Sequence, residues 1–128
     1  CAVNFRLHLH RRDMVKDTIH TTVIDTVYMD AIKLLENRQY KSALPTLSEY
    51  NDHNTAVCLM SLGYDKQAID ILLSLPQNED ILYLLSILYV REKRFQDAIE
   101  AFRESCRLDS SKWYRGTLDP EINQLIND

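Results

Sequence analysis

The sequence predicts an all-α fold, a stack of three antiparallel helical hairpins with a C-terminal closing helix, and three observations predict it. Small residues recur in pairs twelve apart: Ala31 with Ala43, Ala56 with Ala68, and Ser86 with Ala98. Large residues recur in pairs thirteen apart in the same register: Leu34 with Leu47, Leu59 with Leu72, and Tyr89 with Phe102. Between the members of each pair lies a turn, at Glu36 to Gln39, Gly63 to Asp65, and Arg91 to Arg94. A small residue lets two helices cross closely and a large one fills the space beside the crossing, so the repeated register reads as one hairpin used three times. At 128 residues the chain has room for one compact domain, burying roughly 65 to 70% of its unfolded surface.

Taken in order, Ala2 to His10 alternates, with Val3, Phe5, Leu7 and Leu9 on one side and Asn4, Arg6, His8 and His10 on the other. That is the period of a half-buried strand. The charged stretch Arg11 to Asp17 reads as a linker, so residues 1–17 are expected to be a strand-like extension and residues 18–128 the helical domain. The first hairpin covers about 23–50, and Tyr40 opens its second helix. Pro45 follows five residues later, so that helix is either irregular at the proline or starts near Ser42.

The second hairpin covers about 53–75, between the polar breaks Asn51 to His53 and Ser74 to Gln77, which leave helices of about nine or ten residues each. Gly63 suits a left-handed stop between them. The third covers about 78–108, with Phe95 opening its second helix. The closing helix, about 119–127, starts from Asp119 as N-cap, Pro120 in the first turn and Glu121 as a favourable first-turn carboxylate. Its Ile122, Leu125 and Ile126 cover the last repeat face.

In the third unit Leu82, Leu85, Ser86 and Tyr89 reproduce the W-x-x-L-G-x-x-Y spacing, with Leu for Trp and Ser for Gly, and Ala98 with Phe102 reproduces A-x-x-x-F. The first unit keeps Ala31, Leu34, Tyr40, Ala43 and Leu47, and the second keeps Ala56, Leu59, Gly63, Ala68 and Leu72. On these residues the chain resembles the tetratricopeptide repeat family from about Val23 to Ser110. It departs in period: Ala43 to Ala68 is 25 residues and Ala68 to Ala98 is 30, against about 34 in the family. Ser110 also stands where the family usually has proline.

The resemblance implies a non-catalytic scaffold that binds a protein or peptide in a concave groove made by the first helix of each hairpin. On helical spacing, the residues facing away from the small crossing positions are Tyr28, Ile32 and Leu35, then Asn54, Val57 and Ser61, then Tyr83, Ile87 and Arg91. The family's carboxylate clamp needs Lys, Asn and Arg at matching places. Tyr28 and Ile32 stand there instead, which disfavours a chaperone-tail receptor. Trp113, Tyr114 and Arg115 have the composition of an interface hot spot and form a second candidate surface, although Trp113 could equally dock the closing segment onto the third hairpin.

Composition narrows the chemistry. Two glycines cannot spell a Gly-rich phosphate cradle. A net charge of −4 exerts no general pull on nucleic acid. The longest apolar run, Ile81 to Val90, is too short for a membrane span, which takes about 20 residues. Cys1, Cys58 and Cys106 form no C-x-x-C pair, so neither a disulfide framework nor a zinc site is expected, and Cys58 and Cys106 read as packing residues. His8 and His10 could share a metal with His20 or His53, but their place on the polar side of a strand is the better account, and no metal or cofactor is expected. There is no G-x-S-x-G elbow, and enzymatic activity is not expected.

A rival reading comes from the start of the chain. Cys1 in place of Met points to a processed product or a piece of something longer. Residues 1–12 resemble the Arg-rich last strand of an OmpA-like cell-envelope domain, which implies a structural or anchoring C-terminal appendage of a larger protein in the bacterial periplasm or cell envelope. No second alternating segment exists to pair with this strand, so pairing from an upstream domain or self-association through another copy is expected.

Overall fold

The structure, a computed structural model, describes residues 18–126, with side chains from Thr26 onward. The expected strand and linker at residues 1–17 lie outside the described residues, and with them fall the OmpA-like resemblance, the strand-mediated self-association, and His8 and His10. The described residues are all-α and contain no strand. Their helices are α1 (Thr18–Glu36), α2 (Tyr40–Ser48), α3 (His53–Ser61), α4 (Asp65–Ser74), α5 (Glu79–Arg91), α6 (Phe95–Leu108), α7 (Ser111–Leu118) and α8 (Pro120–Ile126). The described residues divide into two compact units, one with α1 to α3 that ends at Tyr64 and one with α4 to α8 that starts at Asp65. The division falls inside the expected second hairpin.

One turn is used three times. Arg38, Gly63 and Lys93 all have left-handed backbone, with φ of 62°, 89° and 61°. Each closes the preceding helix with the same pair of bonds. Gln39 N–H donates to Leu34 O at 2.8 Å and Arg38 N–H to Leu35 O at 3.0 Å. Tyr64 N–H donates to Leu59 O at 2.9 Å and Gly63 N–H to Met60 O at 3.2 Å. Arg94 N–H donates to Tyr89 O at 2.8 Å and Lys93 N–H to Val90 O at 2.9 Å. These are Schellman turns, which satisfy carbonyls that a helix end would otherwise leave orphaned. Stepping from 38 to 63 and on to 93, they repeat with the 25 and 30 residue intervals of the alanines.

Burial follows the same register. Ala43, Ala56, Ala68, Ser86 and Ala98 are fully buried and Ala31 nearly so. In the first unit Ala31, Ala43 and Leu47 share a core with Tyr28, Ile32 and Cys58, flanked by half-buried Leu34 and Tyr40. In the second unit α5 and α6 form the most extensive helix pair, and α8 packs on both. The helices of the shortened middle unit run nine and ten residues.

Local signals account for most boundaries. Asp52 caps α3 with a full capping box: its carboxylate accepts from Thr55 N–H at 3.1 Å while Thr55 Oγ1 accepts from Asp52 N–H at 3.2 Å. Asn78 caps α5 by accepting from Ile81 N–H at 2.9 Å. Asp119 accepts from Glu121 N–H at 3.0 Å at the start of α8. Pro45 sits inside α2, which starts at Tyr40 and not at the later alternative Ser42; the helix ends three residues after it, at Ser48.

One helix goes beyond the sequence expectation. Residues 109–118 carry no expected helix, yet α7 fills Ser111–Leu118. Asp109 starts it by accepting from Ser111 N–H at 3.0 Å and from Ser111 Oγ at 2.7 Å. Gly116 lets it lie close: a Cβ there would stand 2.6 Å from Phe102 Cζ and 3.0 Å from Ile122 Cγ2.

Candidate functional site

The expected groove residues of the first unit converge on one polar knot. Tyr28, on α1, is 2% exposed; its hydroxyl donates to Asp52 Oδ2 at 2.6 Å and accepts from Asn54 Nδ2 at 2.7 Å. Its ring lies 4.6 Å from that of Tyr50. Thr55, the partner of Asp52 in the capping box, donates its hydroxyl to Leu47 O and so ties α3 back to the end of α2. Tyr28 and Asn54, expected on the first helices of successive hairpins, are hydrogen-bonded to each other. Tyr28 and Ile32, however, are part of the interior. Leu35, Asn54 and Val57 are half-buried, and Ser61 is exposed with its hydroxyl donating to Val57 O.

In the second unit the row on α5 is engaged by the chain itself. Tyr83 is 1% exposed and Ile87 is buried. Tyr83 Oη donates to Asp119 Oδ2 at 3.0 Å, and Arg115 places its guanidinium 4.5 Å from the centre of the Tyr83 ring. Burial, with the Asp119 carboxylate beside it, pushes the Tyr83 phenol well above its usual range. Arg91 donates from Nε to Glu121 Oε2 at 2.7 Å and from Nη2 to Glu121 Oε1 at 3.1 Å, and Nη1 reaches Asp65 at 3.1 Å. Tyr83, Ile87 and Arg91 thus do not line an open groove. The reason is the entry into α8, where Asp119 just before the helix takes the Tyr83 hydroxyl, Glu121 in its first turn takes Arg91, and Ile122 is fully buried.

The second candidate surface stands differently. Trp113 packs against Phe102, ring centres 6.0 Å apart, yet remains 53% exposed. Tyr114 and Leu118, one helical turn apart, are 68% and 67% exposed. Arg115 turns to Tyr83, and Lys112 is buried in a pair with Asp80. Trp113 therefore docks α7 on α6 while about half of its surface stays exposed, and Tyr114 and Leu118 present a separate exposed apolar edge of the same helix. Sequence reasoning missed Leu118, Asp119 and Glu121 as members of these surfaces. The i, i+4 spacing of Tyr114 and Leu118 was the available signal, but it has meaning only once residues 111–118 are helical.

Of the two cysteines among the described residues, neither has a setting for nucleophilic work. Cys58 is buried, its thiol donates to Tyr40 O at 3.2 Å, and burial raises its pKa. Cys106 is raised too, by burial and then by the charge of Asp109. Among the described residues no group of three His, Cys, Asp or Glu side chains could hold a metal ion, and no helix is long and apolar enough to cross a membrane. Comparison of the chain with family models, curated proteins and solved structures gives no match.

Proposed function

We propose that the chain is a tetratricopeptide-like scaffold module that docks a protein or peptide, with the exposed face of α7 as its contact surface. The observation that carries this reading is that Trp113, Tyr114 and Leu118 are each more than half exposed on one eight-residue helix, with Tyr114 and Leu118 one turn apart. Exposed aromatic and aliphatic side chains are costly in water and are the composition from which interface hot spots are built. The helix is anchored by Gly116 against Phe102 and by the Lys112 to Asp80 pair, so the face is presented on a fixed support. In the first unit Leu35, Asn54, Val57 and Ser61 remain as a candidate groove.

The test is a selection of random dodecapeptides displayed on phage against the full chain. Enriched peptides should bind a Tyr114→Ala, Leu118→Ala variant at least tenfold more weakly, with the melting midpoint preserved because both side chains are exposed. Peptides that bind the variant equally well, or no enrichment at all, would count against the reading.

A further inference from the structure

The second unit also carries an open cleft of about 280 Å³ between the end of α4, α5 and α6, which the reading above does not use. Its floor is apolar, from Leu85 and Ala101, both buried, and from half-buried Leu82. At the rim Leu73 is 55% exposed, an aliphatic side chain with no cover. Apart from the Tyr89 phenol, its polar side chains offer acceptors. Asp97 and Glu100 stand one turn apart on α6. Gln77 spends its amide nitrogen on Leu72 O and Leu75 O, at 2.9 Å each, which leaves its carbonyl oxygen.

The chain already shows what such a lining holds. Arg94 stacks its guanidinium 4.5 Å from the centre of the Tyr89 ring, another cleft residue, and pairs with Asp97 at 3.0 Å. Glu100, on the same wall, has only the Gln96 amide at 3.3 Å and, among the described residues, no cation. We propose that this cleft docks a peptide segment in which an arginine or lysine lies beside an aliphatic residue. The cation pairs with Glu100, and the aliphatic side chain covers Leu73 and Leu82. An apolar floor excludes water from one side of the ion pair, so charge complementarity selects the partner while burial supplies the affinity. The site and the partner chemistry go beyond docking on α7 and stand without it.

Three fluorescein-labelled dodecapeptides test this. They are Leu/Ala/Ser sequences that differ only in carrying two Arg, two Gln or two Glu, and anisotropy is read on the full chain. The Arg peptide should bind at least tenfold more tightly than the other two. Glu100→Lys should abolish that preference and move it toward the Glu peptide, and Leu73→Ser should weaken the Arg peptide several-fold. Glu36→Lys makes the same change in net charge on the first unit and should leave binding within twofold. Equal binding of all three peptides, or equal loss in Glu36→Lys and Glu100→Lys, would overturn the proposal. Loss in Tyr114→Ala, Leu118→Ala but not in Glu100→Lys would move docking to α7 and equally overturn it.

Discussion

At the scale of single residues, three backbone positions do the same work with different side chains. Gly63 adopts left-handed φ at little cost, while Arg38 and Lys93 hold it against the clash of a Cβ, worth about 1 to 2 kcal/mol. Gly63→Ala should therefore lower stability by about 1 kcal/mol through the backbone alone, since nothing lies within 4 Å of the added methyl. Lys93→Gly should raise stability, by up to about 1 kcal/mol. Urea midpoints of the two variants check both signs. Gly116 is the opposite case: its conformation is helical and its demand is for space, so Gly116→Ala should displace the Phe102 ring and cost about 1 to 3 kcal/mol. Gly63 was legible as a stop because it sits between two apolar periods. Gly116 was not, because nothing in the sequence says that Phe102 lies opposite it.

At the scale of elements, most helices and turns were legible and the way the last helices pack was not. Spacings of twelve and thirteen residues mark positions that the structure buries, the alanines among them. Ala98→Leu should overpack its crossing by about 1 to 3 kcal/mol, read as a lowered melting midpoint; an unchanged midpoint would contradict the register. The return of α8 onto α5 depends on pairs 30 or more positions apart, such as Arg91 with Glu121 and Tyr83 with Asp119, for which no periodicity exists. That is why a row expected to be open is filled. The burial of Tyr83, together with its bond to Asp119, also sets a pH dependence. The folded phenol keeps its proton to higher pH than the unfolded one, so its contribution is complete below the ordinary tyrosine range near pH 10 and is lost as pH rises beyond it. Tyr83→Phe should remove that part of the alkaline loss, measured as urea midpoints from pH 8 to 11.

At the scale of the whole molecule, the described residues are all-α, in a sequence with 45% hydrophobic residues and only two glycines, because their helical stretches carry apolar residues at helical spacing and the turns between them are short. The functional surface was legible in composition but not in position. Trp113 and Tyr114 stand out in any reading, whereas placing Leu118 one turn from Tyr114 needs α7, and α7 starts from an Asp109 to Ser111 bond where the family's proline would stand. The acidic cleft was invisible because its wall and floor come from three separate helices.

Docking on α7 is the central claim, and Trp113 reports it directly, since it is the only tryptophan in the chain and is half exposed. The measurement is its emission while a phage-selected dodecapeptide is titrated into the full chain, with iodide quenching recorded at each end of the titration. The account predicts a blue shift and a severalfold loss of quenching at saturation, both absent in Tyr114→Ala, Leu118→Ala. A peptide that saturates the chain while Trp113 keeps its emission maximum and its quenching would contradict it.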